Sequence, residues 1–272
     1  MLNASNFDQP RLANIRLHPI KSLDPVHVTE ARIGPAGGLE LDRAWALYTP
    51  DNRWVNGKRT SAIFPIRAKF TPDLKSVTLS VPGDRRQVPS REFAFPSDNE
   101  GAAEWFSVYF EQRIIVRSSM NGFPDDPEAN GPTIISTASL QTVCDWFADA
   151  AIDLDEARRR FRTTLEIDGA PAFWEDRLFG AANTYAPRFR IGEVEFEGSN
   201  PCARCSVPPR DSYTAENNVG FQKRFMESRR ESIPAWATLE RFDHFYRLAT
   251  NTRVALSQAG KTLRVGDPVV LV

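Results

Sequence analysis

The stretch Ser76-Val77-Thr78-Leu79-Ser80-Val81 alternates polar and apolar residues, and the turn-forming residues Pro82-Gly83-Asp84 follow it. A two-residue alternation of this kind predicts a β-strand with one buried face. Similar short segments occur earlier in the chain, at residues 13–17, 26–33 and 45–48. Short strands that recur at this spacing, separated by turns, are typical of a small barrel or sandwich. The first part of the chain is therefore predicted to be rich in β-structure.

Helical periodicity appears farther along the chain. Residues 101–112 carry an apolar stripe at i, i+3, i+4, i+7 and i+8, which is typical of an amphipathic helix. Further helices are predicted at residues 138–148, 153–160 and 222–230, and strand patterns return at residues 161–197 and 253–272. The three consecutive arginines of residues 158–160 are expected to form a solvated helix face. These patterns predict a mainly β fold with α (α+β), in two units that divide near residue 120.

Composition and charge exclude several classes of protein. The chain has 272 residues, of which 41% are hydrophobic, and 34 Lys and Arg face 35 Asp and Glu. This apolar content is too high for a disordered chain. A formal net charge of -1 also argues against a nucleic-acid binder, since such domains are usually basic. No run of 18 apolar residues occurs, so we expect no membrane span.

The termini and the cysteines bear on localisation. The first 16 residues contain charged and proline residues and lack the apolar core of a signal peptide. Only three cysteines are present, at 144, 202 and 205, which is no disulfide framework. We therefore expect a cytoplasmic protein, and nothing in the sequence predicts an obligate assembly, so we expect a monomer.

Residues 198–213 form the chemically most informative segment. Cys202 and Cys205 are three positions apart, and prolines at 201, 208 and 209 oppose a helix here. Arg204 and Arg210 are close in sequence to both thiols, and nearby positive charge favours the reactive thiolate form. The pair alone is compatible with a redox dithiol, with half of a zinc site, with one thiolate ligand of a cofactor-borne metal, or with two small structural residues.

Seven further segments, taken in their order and spacing, carry a family resemblance. They read IRLHPIKS at 15–22, GLELDRAW at 38–45, IISTASL at 134–140, RFRTTL at 160–165, FRIGE at 189–193, CARC at 202–205 and VGDPV at 265–269. The chain resembles the two-domain MOSC proteins, and is similar to the amidoxime-reducing component and its bacterial relatives. The resemblance implies an N-terminal β-barrel-like domain over residues 1–120 and a β-barrel-like MOSC domain over residues 121–272.

The resemblance also implies a cofactor and its binding residues. The cofactor is the molybdenum cofactor (Mo-molybdopterin), and Cys205 matches the family's catalytic cysteine, which ligates the metal. Arginine suits a phosphate-bearing pterin because its planar fork donates two parallel hydrogen bonds. Thr164 stands where the family often has asparagine, and the loop around Asn130 departs from the human-type pattern. The resemblance assigns cofactor-binding roles to Lys21, Ser22, Arg43, Asn130, Arg162, Thr164, Ala203 and Arg204.

The activity implied by the resemblance is the reduction of N-hydroxylated small molecules such as amidoximes and hydroxylamines. The chain contains no C-x4-C-x2-C cluster, so the electrons must come from a separate donor, a ferredoxin or a cytochrome b5-like protein with its reductase. One alternative is a sulfur-carrier or cofactor-binding module without its own reductase activity. Another is a cofactor-free barrel that uses Cys202 and Cys205 as a redox switch. Pyridoxal phosphate binding is carried over as a family association only, with no residue assigned to it.

Overall fold

The computed structural model describes residues 9–83, 88–124, 126, 128–181 and 186–272. The strands are β1 (Arg11–Leu17), β2 (Val26–Val28), β3 (Glu30–Arg32), β4 (Trp45–Tyr48), β5 (Trp54–Val55), β6 (Arg67–Phe70), β7 (Ser76–Ser80), β8 (Arg91–Ala94), β9 (Ile115–Ser118), β10 (Ile134–Ser136), β11 (Leu165–Asp168), β12 (Arg188–Ile191), β13 (Val194–Ala203), β14 (Arg247–Arg253), β15 (Thr262–Arg264) and β16 (Val269–Leu271). The α-helices are α1 (Asn99–Phe110), α2 (Thr137–Trp146), α3 (Leu154–Phe161) and α4 (Phe221–Glu231). This composition confirms the predicted mainly β fold with α.

The largest sheet has eight strands, in the order β16-β12-β13-β14-β10-β11-β1-β2. Its pairs are antiparallel apart from β10 and β11, which run parallel. The predicted strand at residues 26–33 is divided in two, because β2 pairs with β1 whereas β3 pairs with β15. The start of the chain is thereby joined to strands from its second half.

The predicted strand at residues 76–81 is observed as β7, the middle strand of the sheet β6-β7-β8. Val77 and Leu79 are completely buried while their neighbours are half-buried, as the alternation requires. The last residue of the predicted turn, Asp84, lies outside the described residues. Together with the sheet β5-β4-β9 and helix α1, this sheet encloses a hydrophobic core formed by residues from Ile20 to Val116.

Side-chain caps determine where the helices begin. Asp98, Ser136 and Asp153 accept hydrogen bonds from backbone N–H groups in the first turns of α1, α2 and α3, respectively. Helices α2, α3 and α4 bury aromatic and aliphatic side chains in one shared cluster, which includes Phe147 and Phe225. None of the helices in the described ranges has the length and apolar character needed to cross a membrane.

A buried carboxyl group lies against the N-terminus of α2. Glu175 is completely buried, and one of its oxygens accepts hydrogen bonds from the Ser136 N–H at 3.2 Å and the Ser139 hydroxyl at 3.0 Å. Burial, reinforced by the neighbouring Asp176, raises the pKa of Glu175 from 4.5 to about 7. Below pH 7 the folded protein therefore keeps a proton that the unfolded chain releases above pH 4.5.

Because the folded-state pKa of Glu175 is raised, its protonation favours folding at low pH, and this contribution is lost as the pH rises from 4.5 to about 7. Glu175→Gln removes the titration. We expect the wild type to lose about 3 kcal/mol of unfolding free energy relative to this variant between pH 4.5 and 8. Urea denaturation at both pH values measures the difference, with Glu195→Gln at a half-exposed strand position as the control. Parallel pH profiles for wild type and Glu175→Gln would contradict this prediction.

Candidate functional site

A cavity of about 530 Å³ lies between segments from both halves of the chain. Its volume is within the range of small-molecule and cofactor pockets. The segment after β9 supplies part of its wall through residues such as Asn121 and Phe123. The residues after β1 and before β4, the end of α3 and the end of β13 supply much of the rest.

Eight of the nine predicted site residues line this cavity. They are Lys21, Ser22, Arg43, Asn130, Arg162, Ala203, Arg204 and Cys205. Thr164 is not among the lining residues. Its side chain is buried next to β11, and its hydroxyl finds no hydrogen-bond partner among the described residues. The structure thus brings together most, but not all, of the residues that the resemblance assigned.

Lys21 and Ser22 are held by the loop that follows β1. The Lys21 N–H donates to the Trp45 carbonyl at 2.8 Å, which ties this loop to the beginning of β4. The Lys21 ammonium donates to the Phe123 carbonyl at 3.1 Å and lies 4.9 Å from the Trp54 ring centroid. Ser22 adopts a φ of 74°, a left-handed conformation that non-glycine residues rarely adopt. The tight turn directs both residues towards the cavity.

Arg43 is fixed by its neighbour Asp42. The carboxylate of Asp42 accepts a hydrogen bond from the Arg43 guanidinium, and its other oxygen accepts the His18 N–H at 2.7 Å. The Arg43 N–H in turn donates to the His18 carbonyl at 2.8 Å. Arg43 has a φ of 52°, so its backbone is also left-handed. A residue held in this way loses little further side-chain freedom when it binds an anion.

Arg162 occupies the position that ends α3. Its φ of 50° is the left-handed conformation that commonly terminates helices, and its N–H donates to the Arg158 carbonyl. The guanidinium donates to the Leu23 carbonyl at 2.7 Å, so Arg162 reaches the loop that carries Lys21 and Ser22. Three cavity residues therefore have unusual backbone conformations, which tend to concentrate at functional sites.

Both thiols of the Cys202–Cys205 pair are half-buried in the cavity wall and unpaired by any disulfide. Arg204 lies between them in sequence, and its guanidinium donates to the Cys202 Sγ at 2.9 Å and to the Phe161 carbonyl. The Arg204 N–H donates to the Tyr246 carbonyl at 3.0 Å, which anchors the end of β13. Cys144 is buried on α2, where burial raises the pKa of its thiol to about 11.

The polar atoms of Asn130 are engaged by backbone groups. Its Nδ2 donates to the Ala36 carbonyl at 2.5 Å, and its Oδ1 accepts the Val254 N–H at 3.1 Å. Asn130 thereby connects the glycine-rich turn at residues 34–38 to the end of β14. Its side chain shapes the cavity wall by holding these two segments together.

Several cavity residues carry no local signal in the sequence. The arginines at 158–160 were expected to form a solvated helix face, but this prediction is wrong, because none of the three is exposed. Arg160 is 6% exposed and pairs with Glu156 at 2.5 Å, and Arg158 is 17% exposed and pairs with Glu166 at 2.7 Å. The Arg160 guanidinium also donates to the Pro208 carbonyl at 3.4 Å, and both residues line the cavity. Lys58 and Arg247 also line the cavity, although they lie in segments that the resemblance did not include.

The electrostatics of the cavity are strongly positive. Seven lysine and arginine side chains line it, whereas Asp42 and Asp126 supply its only described carboxylates. Since the whole chain has a formal charge of -1, this excess is local. Such a donor set favours an anionic ligand that carries several hydrogen-bond acceptors.

His18 lies buried behind this charged wall. Its side chain is completely buried, and neither ring nitrogen has a partner within the described part of the chain. Burial, together with Arg162 and Arg43, lowers the pKa of His18 well below its ordinary value of 6.5. The imidazole therefore stays neutral and adds no charge to the site. In the ranges that the structure covers, no group of three or more His, Cys, Asp and Glu side chains could hold a metal ion.

Models of two known domains match successive parts of the chain. A model of the MOSC N-terminal beta barrel domain matches residues 9–113, and a model of the MOSC domain matches residues 133–270. Molybdenum cofactor sulfurase 3 of Aedes aegypti is 26% identical over 241 residues, which are 74% of this chain and 30% of that protein. Human molybdenum cofactor sulfurase is 22% identical over 268 residues, which are 82% of this chain and 29% of that protein.

The chain thus spans about three tenths of the length of the curated relatives that it matches. The two family models follow one another along the chain in the order expected from the resemblance, and the second alone covers half of the 272 residues. Cys205 and the cationic residues of the cavity belong to the matched ranges. The chain is therefore a member of the MOSC family, with an N-terminal beta barrel domain followed by a MOSC domain.

Proposed function

We propose that this protein binds the molybdenum cofactor and reduces N-hydroxylated compounds, such as amidoximes and hydroxylamines, with electrons from a separate donor protein. The observation that carries the proposal is the position of the Cys205 thiol in a cavity lined by seven cationic side chains. The relatives named as molybdenum cofactor sulfurases support the link to this cofactor.

The residues of the cavity fit such a cofactor. Cys205 offers a soft thiolate ligand for the metal, and Lys21, Arg43 and Arg162 offer charge-assisted hydrogen bonds to a phosphate and to pterin oxygens. The cavity volume of about 530 Å³ suits a ligand of this size. When bound, the molybdenum supplies two-electron oxygen-transfer chemistry, while the protein supplies orientation and electrostatics.

The fold holds the Cys205 thiol in place from two directions. Ala203 pairs with Arg247 of the neighbouring strand β14, and the Arg204 N–H bonds to the Tyr246 carbonyl. Prolines at 208 and 209 stiffen the chain on the other side. The Arg204 guanidinium contacts Cys202, so the two thiols have different surroundings. We infer that Cys205 is the metal ligand and that Cys202 positions Arg204.

The electron donor is proposed to be a ferredoxin or a cytochrome b5-like protein with its reductase. The chain has three cysteines, fewer than the four that ligate a ferredoxin-type cluster, and Cys144 is buried away from the cavity lining. Electrons must therefore reach the cavity from outside this chain. We further propose that the enzyme is cytoplasmic and monomeric and that it acts on a small molecule.

A second candidate is a sulfur-carrier or cofactor-binding module without its own reductase activity. Two observations favour it: the curated relatives are sulfurases, and a second thiol, Cys202, lines the same cavity. One experiment separates the candidates. The protein is produced in a host that makes the cofactor, its molybdenum content is measured, and reduction of an aromatic amidoxime is followed with an artificial electron donor. Near-stoichiometric molybdenum with turnover supports the reductase, whereas molybdenum without turnover supports the module.

Substitution of the cavity arginines should reduce cofactor retention. Arg43→Ala and Arg162→Ala each remove a charged donor, and hydrogen bonds to charged groups contribute about 1.5–3 kcal/mol. We therefore expect a roughly ten- to hundredfold loss of cofactor affinity in each variant. Elemental analysis of molybdenum per purified chain provides the measurement, with Arg188→Ala, at an exposed position of strand β12, as a control. Unchanged molybdenum content in both cavity variants would remove their assigned role.

A further inference from the structure

A second, smaller cavity adjoins the main one. The two share Ser22, Arg160, Arg162 and Val207 as lining residues, so they meet along these side chains. The side pocket has a volume of about 50 Å³. A water-sized group needs roughly 10–15 Å³, so the pocket has room for a small anion. Five arginines line this pocket: Arg67, Arg159, Arg160, Arg162 and Arg210.

Three of these five arginines pair with carboxylates of the protein. Asp24, the carboxylate in the pocket wall, accepts a hydrogen bond from Arg67 at 2.8 Å and one from the Ala68 N–H at 3.0 Å. Glu156 pairs with Arg159 at 3.0 Å and with Arg160 at 2.5 Å. These acidic groups are therefore already engaged and do not neutralise the rest of the pocket.

Among the residues that the structure describes, no acidic partner pairs with Arg210. Its side chain is half-buried, and its guanidinium donates to the Gly57 carbonyl at 3.4 Å, a long hydrogen bond. It also lies 5.8 Å from the centroid of the Phe64 ring. Both partners are uncharged. A partly desolvated guanidinium in this position favours an oxyanion, to which it can donate two parallel hydrogen bonds.

We propose that this side pocket is a phosphate-binding subsite in which Arg210 is the principal ligand. The inference rests on the proposed function in one respect: the main cavity holds a ligand, and its phosphate extends into the side pocket past Ser22 and Arg162, which line both cavities. That phosphate belongs either to the cofactor or to a phosphorylated substrate. In both cases the recognised group is a phosphate of the same charge and size.

Inorganic phosphate is the probe for the subsite itself. Isothermal titration of the full chain at fixed ionic strength should show phosphate binding about tenfold or more weaker for Arg210→Gln than for wild type. Arg210→Lys should recover part of the loss, because it restores the charge but not the fork. Arg188→Gln, an exposed arginine paired with Glu195 and Glu197, is the matched control and should bind as the wild type does. Equal phosphate affinity of wild type and Arg210→Gln would overturn the subsite.

Two further measurements on Arg210→Gln identify the source of the phosphate. If the cofactor supplies it, the molybdenum content of protein from a cofactor-competent host falls. If a substrate supplies it, the molybdenum content stays unchanged and KM rises for a phosphorylated N-hydroxylated substrate but not for a neutral one. Wild-type protein that lacks molybdenum yet binds phosphate through Arg210 would refute the proposed function and leave the subsite intact. If the wild type is active and loaded with molybdenum but its phosphate binding does not depend on Arg210, the proposed function stands and the subsite is refuted.

Discussion

Cys205→Ser should lower the reduction of N-hydroxylated substrates by more than about 100-fold. Loss of even an outer-shell partner typically costs a metal site 10- to 100-fold, and Cys205 is proposed as the direct ligand. Serine preserves the size of the side chain but replaces a soft thiolate by a hydroxyl, which is a poor substitute for a sulfur ligand. Cys205→Ala should have the same effect. The measurement is turnover of an aromatic amidoxime per purified chain, together with molybdenum content.

Cys202→Ser is the matched control for this experiment. It removes a thiol from the same cavity, and a serine hydroxyl can still accept the hydrogen bond that Arg204 donates at 2.9 Å. We expect it to retain most of the activity. Full activity of Cys205→Ser would remove the metal-ligand assignment. If only Cys202→Ser loses activity, Cys202 and not Cys205 is the metal ligand.

Glu166→Gln should destabilise the protein by about 3–5 kcal/mol, the usual result of removing one partner from a buried ion pair. Glu166 and Arg16 are 1% and 2% exposed and pair at 2.5 Å. Glu166 also accepts hydrogen bonds from Arg158 at 2.7 Å and from the Thr137 hydroxyl at 2.9 Å. Without the carboxylate charge, the guanidinium of Arg16 stays buried with no anionic partner. Urea denaturation at pH 7 measures the loss.

The pH dependence of this effect has a definite sign. Burial by itself would raise the pKa of Glu166, but hydrogen bonds from Arg158 and Arg16 outweigh it and hold the pKa below its ordinary value of 4.5. The stabilisation is therefore present above pH 4.5 and is lost as the pH falls through the lower folded-state value. Glu195→Gln, at the half-exposed ion pair with Arg188, should cost less than about 1 kcal/mol. A comparable small loss for Glu166→Gln would contradict the prediction.

The regular elements were largely predictable because they depend on neighbours in sequence. The alternation at residues 76–81 reports a strand with one buried face, and β7 has that pattern of burial. The stripe at residues 101–112 likewise matches α1, apart from a shift of two residues at each end. The strand at residues 26–33 was predicted less well. Its first half pairs with the nearby strand β1, whereas its second half pairs with β15, more than two hundred positions away.

The residues of the candidate site could be predicted where they belong to recognisable motifs. Lys21, Arg43 and Cys205 belong to segments that carry the family resemblance, and the structure brings all three to one cavity. Arg160 stands in the segment 160–165 but had no assigned role, because the run of arginines at 158–160 suggested solvent exposure. Lys58 stands in none of these segments. The division of the chain near residue 120 stays a prediction.

Taken by itself, the sequence determined the β-rich class of this protein, its family and the identity of the thiol proposed to bind metal, because these depend on local periodicity and on short motifs. Only the tertiary structure decided which charged side chains line the same cavity and which of them pair with a group of opposite charge. Arg16 meets Glu166 across 150 residues, and Arg210 meets Gly57 across 153. The reason is physical: desolvation and pairing act between groups close in space, and chain folding sets that closeness through strand pairings that no single segment encodes.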